Sequence, residues 1–130
     1  MRYLFVGCLA IGLALLWDRL LFNLGIKFRD RVCIGVPFGE EIIKIFLCRF
    51  FHLAPMNFYA VFGFGEGLYE MIRQKKPFDL LLLGAGIFTH WSFSLFFLLR
   101  LPVIMSLSLA VISHMLWNHF IISSDKRNIG

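Results

Sequence analysis

Long apolar runs separated by short polar clusters organise this chain, at about residues 3–24, 32–51, 55–72, 78–99 and 102–122. Each run approaches the ~20 residues a helix needs to cross ~30 Å of hydrocarbon. No strict apolar–polar alternation of the barrel type is visible. Backbone polar groups in lipid must be satisfied within their own segment, so each run predicts a transmembrane helix. The predicted fold class is therefore all-α: one integral-membrane domain over residues 1–130, a polytopic bundle of about five transmembrane helices. The first run follows Arg2 much as a signal peptide would. Trp17-Asp18-Arg19 stands where a small-residue cleavage site would be needed, so an uncleaved first span is expected.

Composition agrees with the pattern: 59% of residues are hydrophobic, 16 are Phe, and the mean hydropathy is +0.79. The formal net charge of +5 could suggest a nucleic-acid partner. The basic residues, however, lie in short clusters between apolar runs, the arrangement of charges beside a bilayer, and no nucleic-acid binding is expected. Arg19, Lys27, Arg29, Arg31, Arg73, Lys75, Lys76, Lys126 and Arg127 collect on one side, against Arg2, Arg49 and Arg100 on the other. Nine against three places the N-terminus outside and the C-terminus in the cytoplasm of what is expected to be a prokaryotic plasma (inner) membrane. Cys8, Cys33 and Cys48 are odd in number and lack metal-type spacing, so buried, reduced thiols with no disulfide framework are expected.

Against this background the ionisable groups inside the runs stand out. Each costs roughly 2.5–3.5 kcal/mol at the centre of a membrane helix, so Glu40, Glu41, Lys44, Glu66, His90 and His114, joined by Asn118, mark function by default. Residue counts at ~1.5 Å rise place all of them in the inner half of the bilayer, which predicts one shared, cytoplasm-facing cavity. Lys44 projects between Glu40 and Glu41 on one helix sector. An internal ion pair would explain one carboxylate and leave the other, which suits a general base held ionised by the lysine. Gly63 and Gly67 fit close helix packing but do not account for Glu66 between them. Glu70 belongs with the basic cluster at Arg73, as a surface ion pair. His90 alone could be interhelical polar glue. His114 and Asn118 lie four apart on one face and could either serve as glue or donate to an oxyanion. His119 faces elsewhere. Carboxylates to activate a water, with imidazole and amide to stabilise negative charge, suit amide hydrolysis; no GxSxG motif is present.

Glu40-Glu41-Ile42-Ile43-Lys44 reads EExxK, Phe62-Gly63-Phe64-Gly65-Glu66 reads FxxxE, His90 stands in the next run, and His114-Met115-Leu116-Trp117-Asn118 reads HxxxN. In order, spacing and placement these motifs, spread over residues 34–122, resemble the PrsW-type intramembrane proteases, relatives of the CAAX prenyl endopeptidases of the ABI family. Glu66 stands where the prenyl relatives usually carry His, which favours the PrsW side. The resemblance implies a glutamic-type endopeptidase that cuts a membrane-anchored protein substrate in or beside the bilayer. Glu40 would be the general base, Glu41 would share or orient the water, Glu66 and His90 would complete the water site, and His114 and Asn118 would be oxyanion donors. No cofactor is expected. Zinc is the alternative, with Glu40, Glu66, His90 and His114 as its ligands, although HExxH spacing is missing. A proton relay and a non-enzymatic scaffold or immunity protein are the competing readings, and self-association is left open.

Overall fold

The computed structural model describes residues 1–75 and 79–127, without the side chains of Leu82 and of 124–127. Lys76 and the expected start of the fourth run at residue 78 lie outside the described residues, as do the side chains of Lys126 and Arg127. The described residues are helical throughout, with no strand: α1 (Arg2–Asn23), α2 (Phe28–Asp30), a π turn (Arg31–Gly35), α3 (Val36–Phe50), α4 (Pro55–Arg73), α5 (Leu80–Ser94) ending in a 3₁₀ turn (Leu95–Leu98), and α6 (Val103–Arg127). Since α2, the π turn and α3 run on without a break, the elements form five helical rods, matching the five apolar runs. The second rod begins at Phe28, four residues earlier than the apolar pattern predicts, because its first turn carries Arg29 and Asp30. Among the described residues α1 and α6 are long and apolar enough to cross a membrane. By contrast α3 has only 15 residues and carries Glu40, Glu41, Lys44 and Arg49.

Local chemistry explains where the rods stop. Gly25 (φ 74°) follows α1, and the Ile26 N–H closes back on the Leu21 carbonyl at 3.2 Å. His52 (φ 50°) ends α3 in the same way, with Leu53 N–H bonded to the Cys48 carbonyl at 2.8 Å. Pro55 opens α4, where its missing N–H costs nothing.

Pro37 is the irregular element that matters. Inside a continuous helix it removes a donor and crowds the carbonyl four residues back, and the widened π turn immediately before it absorbs that conflict. Side chains from outside the rod bind carbonyls of this turn. The Trp17 indole N–H donates to the Gly35 carbonyl at 2.8 Å, and the Asn118 amide donates to the Val32 carbonyl at 3.0 Å. A Cβ at Gly39 would collide with the Trp17 ring, so the glycine is what lets α1 lie this close. The turn just ahead of Glu40 and Glu41 is thus held from both α1 and α6.

The core runs through Val6, Ala10, Ala14, Leu47, Phe58, Tyr59, Phe62, Phe93 and Ala110. Its distribution of polarity is inverted. Glu40, Glu41, Lys44, His90 and His114 are buried, whereas Phe5, Leu16, Phe46, Leu81, Ile104 and Leu116 point outward and are exposed. Cys33 and Cys48 are buried as expected, but Cys8, expected to be buried, is exposed on α1. The expected glycine packing is present between α4 and α5: a Cβ on Gly63 would strike the Gly86 carbonyl, and one on Gly86 would sit 2.6 Å from the Gly63 carbonyl. Close approach of these two backbones brings Glu66 within reach of His90, one turn from Gly86. Replacing Gly63 by Ala is expected to lower stability by about 1–3 kcal/mol, since backbone must move to make room. Gly12→Ala, with open space around its Cβ, is expected to be neutral or slightly stabilising. Thermal unfolding of both variants in detergent micelles checks the contrast.

Candidate active site

Side chains from α3, α4, α5 and α6 converge at one place. At the centre is Lys44, fully buried, whose ammonium forms an ion pair with the equally buried Glu41. It also donates to His90 Nδ1 at 3.0 Å and lies 4.8 and 4.6 Å from the ring centres of Tyr59 and Phe62. Two aromatic faces beside a desolvated ammonium are worth on the order of 2 kcal/mol.

An ammonium has only donors, so His90 Nδ1 must accept. The ring proton is then on Nε2, which donates to the Glu66 carboxylate. Glu41, Lys44, His90 and Glu66 therefore form one hydrogen-bonded chain across three helices, with the direction of each bond fixed by the chemistry of its ends.

The two adjacent glutamates have different surroundings. Glu41 Oε1 accepts from Lys44 and from His114 Nδ1, the latter at 3.0 Å. Oε2 of both glutamates lacks a hydrogen-bond partner, but Glu41 borders neither cavity, whereas Glu40 lines a groove of about 930 Å³ between α1, α3, α4 and α6. Glu40 Oε2 is 3.8 Å from His114 Nε2. Glu66 is shared between this groove and a second cavity of about 160 Å³ between α4, α5 and α6. The charged pairs Asp18–Arg31 (3.2 Å) and Glu70–Arg73 (2.7 Å at Nε) also line the groove, towards the end of the molecule expected to face the cytoplasm.

Each candidate residue can now be placed. Glu40, Glu41, Lys44, Glu66, His90 and His114 come together. Lys44, expected between the two glutamates, takes Glu41 as its hydrogen-bonded partner. Asn118 lines the smaller cavity, with one amide bond committed to Val32. Glu70 pairs with Arg73 as anticipated, and His119 is exposed. Tyr59 is a component the sequence reading passed over. It is fully buried, and its hydroxyl faces Glu41 without meeting hydrogen-bond geometry. Its spacing of three and seven residues before Phe62 and Glu66 puts it on their helix face, a signal hidden among so many aromatics.

Glu40, His90 and His114 each offer a ligand atom within 4.8 Å of the others, so these three, without Glu66, are the possible metal-binding set. The donor chemistry does not fit a metal as it stands. Both nitrogens of His90 are engaged, and Lys44 already places a positive charge 3.0 Å from that ring. Compared with protein-family models, curated proteins and solved structures, the chain matches none.

Lys44→Met would leave Glu41 buried without its counter-charge, an expected loss of about 3–5 kcal/mol. Combining it with Glu41→Gln is expected to recover much of that loss. Denaturation of the two single variants and the double variant gives the coupling between the sites.

Proposed function

We propose that this protein is an integral-membrane, glutamic-type endopeptidase of the PrsW kind, cutting a membrane-anchored protein at the level of the inner leaflet. The observation that carries this reading is the buried, unpartnered oxygen of Glu40, a residue that lines the large groove, 3.8 Å from His114 Nε2. A water at ordinary hydrogen-bond distance of ~2.8 Å from both atoms forms a compact triangle with them. All five helical rods lie in the bilayer, with apolar side chains turned to lipid and the charged residues enclosed. The excess of basic residues puts the C-terminus in the cytoplasm.

In this reading Glu40 takes a proton from the water, and the hydroxide attacks a peptide carbonyl lying in the groove. Glu41 is a positioning residue rather than a base, because its accepting oxygen is held by Lys44 and His114. His114, flanked by two carboxylates, stabilises the oxyanion together with the second amide N–H of Asn118. Glu40 then returns its proton to the leaving nitrogen as the C–N bond breaks. Glu66 and His90 hold the water side of the site in place. No step passes through a metal.

Glu40→Gln keeps the shape of the site and removes the base, so cleavage is expected to fall by about 10²–10⁴-fold while the protein still folds. Membrane proteomics of wild type against the variant reads this as accumulation of uncut single-span proteins; unchanged profiles would refute the enzyme reading. For purified enzyme, activity is expected to survive a chelator. Loss in chelator with recovery on added zinc would instead assign Glu40, His90 and His114 to a metal.

A further inference from the structure

The two cavities meet at Glu66, Glu70 and Ile121 but are built differently. The groove is walled on its α1 side by Ile11, Ala14 and Leu15, and its volume of about 930 Å³ is in the range of sites that hold organic ligands, ~300–1,000 Å³. The smaller cavity, about 160 Å³, is below that range. Polar groups from all three of its helices face it: Glu66 and Glu70 from α4, Thr89 and His90 from α5, His114 and Asn118 from α6. At ~30 Å³ per molecule this space holds on the order of five waters. Its floor is the catalytic cluster itself, because His90 and His114 border this cavity whereas Glu40 borders the groove.

We infer that the cavity between α4, α5 and α6 is a hydrated chamber that supplies the hydrolytic water, separate from the groove that takes the peptide. A membrane-embedded hydrolase needs such a division, since an apolar substrate filling the groove closes the Glu40 side to solvent. Water then reaches the cluster past Glu70 and Thr89, through the space that His90 and His114 border. Thr89 suits the wall of such a chamber: its hydroxyl donates to the Ala85 carbonyl at 2.8 Å and leaves its lone pairs to solvent. The inference rests on the hydrolase reading, but its test needs no substrate.

Neighbouring positions on α5 give the contrast. Thr89 is buried and lines the chamber, whereas Phe88 is 67% exposed on the outward face. Single cysteines at these positions, in a chain with Cys8 replaced by Ala and the buried Cys33 and Cys48 retained, are treated in open membrane sheets with a charged, membrane-impermeant methanethiosulfonate. Only a hydrated thiol ionises and reacts, so Thr89→Cys is expected to be modified at least about tenfold faster than Phe88→Cys. If Thr89→Cys does not fold, Ala85→Cys, on the same wall, takes its place in the comparison. Equal slow labelling means a dry chamber and overturns the inference. Equal fast labelling means that α5 is bathed on both faces, which overturns it too. Because cleavage by wild type and Glu40→Gln is read separately, a dry chamber in an active enzyme is distinguishable from a wet chamber in an inactive protein.

Discussion

The structure turns on one buried ion pair. An ammonium and a carboxylate taken out of water each cost several kcal/mol. Lys44 with Glu41 is tolerable because the ammonium and one carboxylate oxygen are answered by side chains from other helices, although Glu41 Oε2 has no hydrogen-bond partner. His90 accepts from the ammonium, His114 donates to the carboxylate, and the rings of Tyr59 and Phe62 cover the charge. The pair therefore recruits side chains from α4, α5 and α6. With the pair fully buried, that requirement fixes how α3, α4, α5 and α6 must meet.

Two backbone features make the meeting possible. Gly63 and Gly86 let α4 and α5 approach until Glu66 and His90 bond, so the hydrogen-bonded chain can extend beyond Lys44. Pro37 opens the π turn, and the carbonyls of that turn become attachment points for Trp17 and Asn118. Glu40 lies one turn beyond Pro37, so the same fixture that relieves the proline sets where Glu40 stands in the groove wall. Helix packing, charge burial and the proposed catalytic geometry are thus one set of constraints, and a change to any part is felt in the others.

How much of this could be read from the chain divides along local and non-local lines. Five helical segments follow directly from the apolar runs, and the spacing of EExxK puts Lys44 on the face of its glutamates. Which glutamate it pairs with does not follow, because i+3 and i+4 partners are both within reach. That choice is made by His90 and His114, which lie 46 and 73 residues away from Lys44 and Glu41. The commitment of Asn118 to Val32 was equally hidden, since it depends on the register of α6 against a π turn that no apolar periodicity announces. The different surroundings of Glu40 and Glu41 arise only when α1 closes the groove. Tyr59 was on the right face to be noticed, but nothing in an aromatic-rich segment marks one hydroxyl as the one beside a carboxylate.

The central claim is that carboxylates and imidazoles from four helices are joined through Lys44 in bonds of fixed direction. The ring nitrogens of His90 report this most directly. In ¹⁵N spectra of histidine-labelled protein in lipid bilayers, the account requires His90 to be locked in the tautomer protonated at Nε2, with Nδ1 accepting from an ammonium. Replacing Lys44 should release that lock. A His90 that is doubly protonated, or that averages between tautomers in the intact protein, would contradict the account.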